Sequence, residues 1–345
     1  MKKKSGNRRG LQILCTLLGI VLVVMVAGTV YASYLMGLMN RVEIGSEVVM
    51  SQEEIDRLMA EETLAPDETK APAMDAGDVD WGEEEGKILE TDDQIVNIML
   101  VGQDSRTPGY RARSDSMILV TFNTKAKTIT LTSFLRDLYV KIPGYSDNKM
   151  NAAYAVGGME LLGQTLEVNF GVKVDGFVEV NFFRFADVID LLGGVDMELR
   201  ADEAEYINMT ANTYGLVAGM QHLNGSQALQ YSRIRHLDYD SDFSRTGRQR
   251  KVINALIEKF RNTKLTTLLG LLDDLLPMIT TDMTNAEIIG YATELFPMLA
   301  NCTIVSQRVP ADGAYRLATI QEMSCVVADM DAARKLLEDT FRIGD

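Results

Sequence analysis

IVNIMLVGQDSR, residues 95–106, joins an apolar run of strand length to a turn that carries charge. Residues 117–122 and 128–133 are two further β-rich runs, and Asn123-Thr124-Lys125-Ala126-Lys127 joins them in the manner of a hairpin. The second run leads within two residues into Arg136-Asp137. Charged groups thus recur just beyond buried strands, where open α/β sheets place their sites.

Downstream, the pattern alternates. Helix is expected over 151–166, 182–192, 265–276, 285–299 and 330–341, and strand over 177–180, 195–199, 303–308 and 325–328. Gly193-Gly194 closes the second of these helices, and Asn224 suits the N-cap of another through Ala228 and Tyr231. Strands alternating with helices, plus a hairpin, predict an α/β domain: a layered α/β/α unit around a central mixed sheet. No internal repeat is found.

The N-terminal part has a different composition. Residues 11–39 are dominated by Leu, Val, Ile and Met and carry no charge. A segment of that length spans the ~20 residues a bilayer requires. Lys2, Lys3, Lys4, Arg8 and Arg9 precede it, so residues 1–10 are expected in the cytoplasm and the chain beyond the span outside the cell. The expected location is therefore the cell membrane, single-pass. A cleaved signal peptide fits less well: the apolar run is longer than usual, and Val30-Tyr31-Ala32 is a poor cleavage site.

The net charge of −15 is unevenly spread. Residues 41–95 hold 4 basic and 18 acidic groups, so most of the acidity lies there. Poor in aromatics and broken by Ala-Pro steps, residues 40–93 read as an acidic disordered stalk. A short helix is expected within 52–60. The outer domain is then 94–345, long enough for one sizeable core. Its acidic balance and outward orientation count against nucleic-acid binding. Cys302 and Cys325 fall outside the span, where either a disulfide or two buried thiols is compatible with the sequence. With His222 and His236 the only histidines and no CxxC pattern, zinc is not expected.

Chemistry concentrates in QYSRIRHLDYDSDFSRTGRQR, residues 230–250. Arg233, Arg235, Arg245, Arg248 and Arg250 fall in this one span, and forked donors at such density suit a multiply charged phosphate. The helix that follows carries an apolar stripe of Val252, Ile253, Leu256, Ile257 and Phe260. Extending it backward reaches Gln249, Arg248 and Arg245, which should point into a cleft, with Arg250 rotated off that face. The alternative is an ion-pair network of Arg245 and Arg248 with Asp238, Asp240 or Asp242.

Taken in order, NIMLVGQDSR (97–106), RSDSM (113–117), Arg136-Asp137, IPG (142–144), KMNAAYAVGG (149–158), LLGGV (191–195), LNG (223–225) and the arginine segment ending in Arg248-Gln249 resemble the LytR-CpsA-Psr family of membrane-anchored cell-wall enzymes. The resemblance covers a motif core of 95–262 and, more loosely, the C-terminal part. Phe134-Leu135 stands where a proline commonly precedes the arginine.

The resemblance implies a phosphotransferase that moves an anionic glycopolymer, of teichoic acid or capsule type, from a polyprenyl-diphosphate carrier onto peptidoglycan and releases polyprenyl phosphate. Asp104 and Asp115 would hold Mg²⁺ on the phosphate oxygens. Arg106, Arg113, Arg136, Arg233, Arg235, Arg245 and Arg248 would bind the diphosphate, supported by Lys149 and Gln249. Arg136, Asp137, Arg233 and Arg235 are the expected catalytic residues. Leu161, Leu162, Phe177, Phe182, Phe183, Phe185, Ile189 and Leu192 offer apolar surface for the lipid, although each also suits an ordinary core. Hydrolysis of the lipid diphosphate, or a non-catalytic envelope regulator or wall-binding module, are the other functions compatible with these residues.

Overall fold

The structure, a computed structural model, describes residues 31–43, 53, 55, 57, 71–84, 86–103, 113–238 and 241–342. Its strands in chain order are β1 (Asn40–Arg41), β2 (Ile95–Gln103), β3 (Ser114–Asn123), β4 (Thr128–Phe134), β5 (Tyr139–Val140), β6 (Asn148–Lys149), β7 (Gly176–Asn181), β8 (Val195–Leu199), β9 (Gly219–Leu223), β10 (Ile279–Thr281), β11 (Thr303–Val309), β12 (Tyr315–Ile320) and β13 (Met323–Ala328). The longer helices are α1 (Met150–Phe170), α2 (Phe182–Leu191), α3 (Ala201–Thr210), α4 (Gly225–Arg233), α5 (Ser241–Asn262), α6 (Leu265–Leu275), α7 (Asn285–Leu299) and α8 (Met330–Phe341).

A seven-stranded sheet in the order β1-β10-β7-β2-β3-β4-β11 forms the centre. It is mixed: β2 pairs parallel with β7 and antiparallel with β3, while β4 pairs antiparallel with β3 and parallel with β11. The apolar runs of β2 and β3 follow from burial on both faces. Met99, Val101, Met117 and Leu119 point to one side, where Leu162, Leu166 and Phe170 of α1 and Leu337 and Phe341 of α8 meet them. Ile118, Val120, Ile129 and Leu131 point to the other, against Ile253 and Ile257 of α5 and Met298 of α7. The sheet therefore lies between two helical layers, as the sequence predicts.

Asn97 is a polar residue inside β2, 1% exposed, and its Oδ1 accepts a 2.8 Å hydrogen bond from Thr121 Oγ1. The expected hairpin at 123–127 forms, with Asn123 paired to Thr128. In α1 the helix is kinked at Gly157 and Gly158, and Gly158 has φ +60°, which a side chain resists. Asn224 caps α4 as expected, accepting from the Gln227 backbone at 2.9 Å.

Beside the sheet, α2, α3, α4, the β8–β9 hairpin and part of α5 enclose a second core around Ile189, Val195, Ile207, Leu223, Tyr231 and Val252. Sequence reading did not identify α3 or β9. Among α3's residues Glu203, Ala204 and Ile207 are buried, too sparse a stripe to signal a helix. Cys302 and Cys325 are both buried, and no disulfide joins them.

Of the expected membrane span, residues 11–30 lie outside the described residues and 31–36 are helical. No helix among the described residues is long and apolar enough to cross a membrane. The expected helix within 52–60 also falls largely outside them.

Within the acidic segment 40–93 the described residues lie against the domain. Asn40 and Arg41 add a strand to β10. Val79 and Leu89 are buried, Trp81 stacks on Tyr139 with ring centroids 6.1 Å apart, and the Leu89 backbone N–H donates to Gly171 at 2.8 Å. A few apolar residues spaced along a charged stretch suffice to seat it on an existing core, although they could not fold it alone.

One close approach is directly testable. A Cβ on Gly225 would sit 2.0 Å from the Ala186 carbonyl oxygen, forcing α4 away from α2, whereas nothing lies within 4 Å of a Cβ on Gly270 in α6. Gly225→Ala is expected to cost about 2–3 kcal/mol, and Gly270→Ala to stabilise by about 0.5–1 kcal/mol. Urea unfolding midpoints of the two variants against wild type measure both.

Candidate active site

The site is assembled at one end of the sheet. Gly102 pairs with Ser116 and Gln103 with Ser114, so Asp115 is the extra residue of a β-bulge. A bulge takes one residue out of the ladder and re-aims it. Asp115 consequently leaves the sheet surface and faces the arginines: its Oδ1 lies 3.0 Å from Arg136 Nη1 and 3.8 Å from both Arg235 Nη2 and Arg245 Nη1.

Arg136 and Asp137 follow β4 directly and are held by their neighbours. Leu135 and Leu138 on either side are fully buried. The Arg136 carbonyl accepts from Asn151 N–H at 3.2 Å and the Asp137 carbonyl from Val326 N–H at 2.9 Å. The absent proline before Arg136 is thus replaced by backbone bonds and two leucine anchors. Asp137 lies 3.4 Å from Arg136 Nε and 3.0 Å from Lys149 Nζ, which pairing of β6 with β5 brings alongside.

Burial alone would raise the Asp137 pKa. The charges of Arg136 and Lys149 outweigh it and hold the carboxyl below the usual 3.8. Asp137 is therefore ionised at neutral pH and cannot serve as a proton donor there. The stability these contacts contribute is complete above 3.8 and is lost as pH falls through the lower folded value.

Arg245 is 2% exposed and Gln249, one turn on, 7%. The Gln249 Oε1 is buried with no hydrogen-bond partner among the described residues. Arg235 follows the buried Ile234 and is partly exposed. Arg113 stands immediately before β3, its Nη1 buried, and Arg233 lies in the last turn of α4. Asp104 and Arg106 lie outside the described residues.

Arg248 does not join this group. Its Nε donates to Glu203 at 2.9 Å, it also donates to the Ile234 carbonyl at 3.3 Å and to Asp238, and its guanidinium lies 5.9 Å from the Tyr231 ring centre. The expectation that Arg245 and Arg248 share one cleft holds for Arg245, while Arg248 ties α5 to α3. The ion-pair alternative accounts for its Asp238 contact, and Glu203 is a partner that sequence reading did not identify. Asp238 is held below its ordinary value, its bonds to Arg248 and Arg200 outweighing its burial.

Two more features were missed. Gln103 Nε2 and the Tyr154 hydroxyl both donate to Glu179, a carboxylate that pins the ends of β2 and β7 where the 104–112 segment begins. A lone Glu in the apolar strand GFVEVN was the available signal. Next to the cluster, Leu100, Ile118, Val178, Val180, Phe185 and Ile253 line a cavity of about 90 Å³, with Gly102, Ser116, Ser232 and Gln249 also on its wall. Of the residues expected to line a lipid groove, Phe185 is on the wall of this cavity. Leu161, Leu162 and Phe177 pack in the α1 layer and Ile189 in the second core.

Four cations, Arg136, Lys149, Arg235 and Arg245, thus surround the carboxylates Asp115 and Asp137. Among the described residues the excess is positive and partly shielded from water, a setting suited to an anion of more than one charge.

The LytR_cpsA_psr family model matches residues 59–339. The chain belongs to this family. It is 36% identical over 179 residues to the polyisoprenyl-teichoic acid–peptidoglycan teichoic acid transferase TagV of Bacillus subtilis, covering 50% of this chain and 46% of that protein. Biofilm regulatory protein A of Streptococcus mutans is likewise 36% identical over 197 residues, covering 52% of this chain and 48% of the relative. The chain spans about half the length of these curated relatives. Among solved structures, TagT with bound octaprenyl pyrophosphate lipid superposes with a TM-score of 0.57 at 27% identity, over 77% of this chain and 99% of that one.

The division between Arg248 and Arg245 predicts different consequences of mutation. Glu203→Ala removes one of the two carboxylates that hold the buried Arg248 and leaves its Nε without that partner, and is expected to cost about 1–3 kcal/mol. Arg245→Lys keeps the charge at Asp115 and should shift stability by about 1 kcal/mol or less. Urea denaturation of each variant, compared with wild type, measures the difference.

Proposed function

We propose that the chain is a membrane-anchored phosphotransferase. It moves an anionic glycopolymer from a polyprenyl-diphosphate carrier to a hydroxyl of peptidoglycan and releases polyprenyl phosphate. The observation that carries this reading is the contact between two unlike environments: the cation cluster at Asp115 and Arg245 directly adjoins the apolar cavity through Ser116 and Gln249. A lipid diphosphate has the same two parts joined in the same way. The names of TagV and of the lipid-bound TagT structure are consistent with it.

In the reaction, the acceptor oxygen forms a bond to the phosphorus that carries the glycan. The bond to the bridging oxygen breaks, the hydroxyl proton is released, and the electron pair leaves on the lipid phosphate. Arg136, Arg235 and Arg245 neutralise charge on both phosphates as this occurs, and their placement before the substrate arrives is the source of the rate. Asp115 and Asp137 keep the guanidiniums and Lys149 oriented while no phosphate is bound.

Among the described residues, no group of three or more His, Cys, Asp or Glu could hold a metal ion. The closest arginine contacts of Asp115 fall on its Oδ1, and with Asp104 it would offer two carboxylates. That donor set fits Mg²⁺, which takes one or two carboxylates and completes its shell with phosphate oxygens and water. Asp115 and Asp104 are the proposed ligands, and the ion would supply further charge neutralisation. The apolar segment 11–39 is the proposed anchor, with the domain outside the cell.

The full chain in lipid nanodiscs, given a polyprenyl-diphosphate disaccharide and peptidoglycan fragments, is expected to yield linked glycan and polyprenyl phosphate. EDTA should stop the reaction and Mg²⁺ restore it. Arg245→Lys should lower kcat/KM about tenfold or more. Free glycan in place of the linked product would assign hydrolysis and overturn the transfer reading.

A further inference from the structure

The N-terminal half of α5 has a third face that neither the cation cluster nor the Arg248 network uses. Phe243 and Arg250, two turns apart, lie on it. Contrary to a freely exposed position, Arg250 is half-buried, and its Nε and Nη1 find no hydrogen-bond partner among the described residues. Burial and the nearby charge of Arg308 push its pKa down to about 10.

Arg308 lies near the end of β11, its guanidinium 4.5 Å from the centre of the Phe243 ring. Phe243 in turn stacks on Tyr315 with centroids 4.7 Å apart. Ser133 pairs in register with Arg308, and its buried Oγ also has no hydrogen-bond partner among the described residues. Asp312 pairs with Arg308 but is 92% exposed, so a ligand anion can take its place. Arg308 also donates from Nε to the Pro310 carbonyl at 3.3 Å, so the unused buried donors are those of Arg250 and Ser133, which lose solvation without recovering it. Occupation by an anion restores it.

The sheet order places this group. The apolar cavity lies over β7, β2 and β3; Asp115 belongs to β3 and Arg136 follows β4; Arg308 belongs to β11. Crossing the strand ends in that direction therefore meets an apolar pocket, a diphosphate cluster and a second pair of arginines in turn.

We infer that Arg250 and Arg308 form an anion subsite for a phosphate of the glycopolymer on the lipid donor, with Tyr315 as the ring on which the adjoining sugar or polyol unit packs. This rests on the transferase reading and specifies its substrate: a donor whose polymer carries phosphate close to the diphosphate.

The test uses the full chain and two donors, a polyprenyl-diphosphate disaccharide with and without three glycerol-phosphate units. Arg250→Gln and Arg308→Gln should each raise KM about tenfold for the longer donor, and change kcat/KM less than about twofold for the shorter one. Asp312→Ala, an exposed change, removes the competing carboxylate and should tighten binding of free tri(glycerol phosphate) severalfold. An equal loss on both donors, no loss on either, or a KM change confined to the peptidoglycan fragment would overturn the subsite. If wild type transfers neither donor, titration of tri(glycerol phosphate) still decides: weaker binding by the glutamine variants and tighter binding by Asp312→Ala support the subsite while the transferase reading fails. Equal binding by all four proteins overturns it.

Discussion

Burial of both faces of the central sheet constrains the rest of this molecule. With α1 and α8 on one side and α5 and α7 on the other, a strand residue cannot carry charge into water from the middle of β2, β3 or β4. Charged side chains are displaced to the strand ends, where Asp115, Arg136, Asp137 and Arg308 all lie. The bulge at Asp115 extends the same logic: a ladder position would have driven its carboxylate into a hydrophobic layer. The charged cluster is concentrated because the sheet leaves few other places for it.

Electrostatics then divides the arginines by how well their partners match. Arg248 has Glu203 and Asp238 and is neutralised, so it holds α5 to the second core. Arg245, three residues earlier and just as buried, faces Asp115 beside two other guanidiniums. An isolated buried pair adds little net stability, whereas an excess of charge raises the affinity of the site for whatever supplies the opposite sign. The same helix thus carries one arginine matched to two carboxylates and one grouped with other cations, and local charge balance distinguishes them.

Strand and helix order was legible in the sequence because each long element buries a continuous stripe. The 195–199, 285–299 and 330–341 segments have the expected bounds. Elements that bury little were not legible: α3 rests on three buried residues, and β10 is short. Within the site, Asp115, Arg136, Asp137, Lys149, Arg235 and Arg245 could be named from motif order, and the structure brings them together. Arg248 was expected beside Arg245 and is found against the second core, for a physical reason. Helical spacing tells which side of α5 a residue is on, but Glu203 lies 45 residues away and no local pattern reveals that it is the partner. Arg250 lies off that face as expected, but helical spacing could not reveal that Arg308 of β11 waits on the next one.

The position of α5 explains why these three outcomes occur on one helix. It crosses the sheet with Ile253 and Ile257 packed on β3 and β4, so its preceding turns overhang the strand ends. Successive residues there face, in turn, the cavity side, the second core and the β11 side, and Gln249, Arg248 and Arg250 each meet a different environment. Within two turns this helix borders an apolar cavity, the cation cluster around Asp115 and a further arginine pair. Moving α5 along its axis by even one residue would break all three alignments together, so the packing of Ile253 and Ile257 on the sheet is a determinant of specificity as much as of stability.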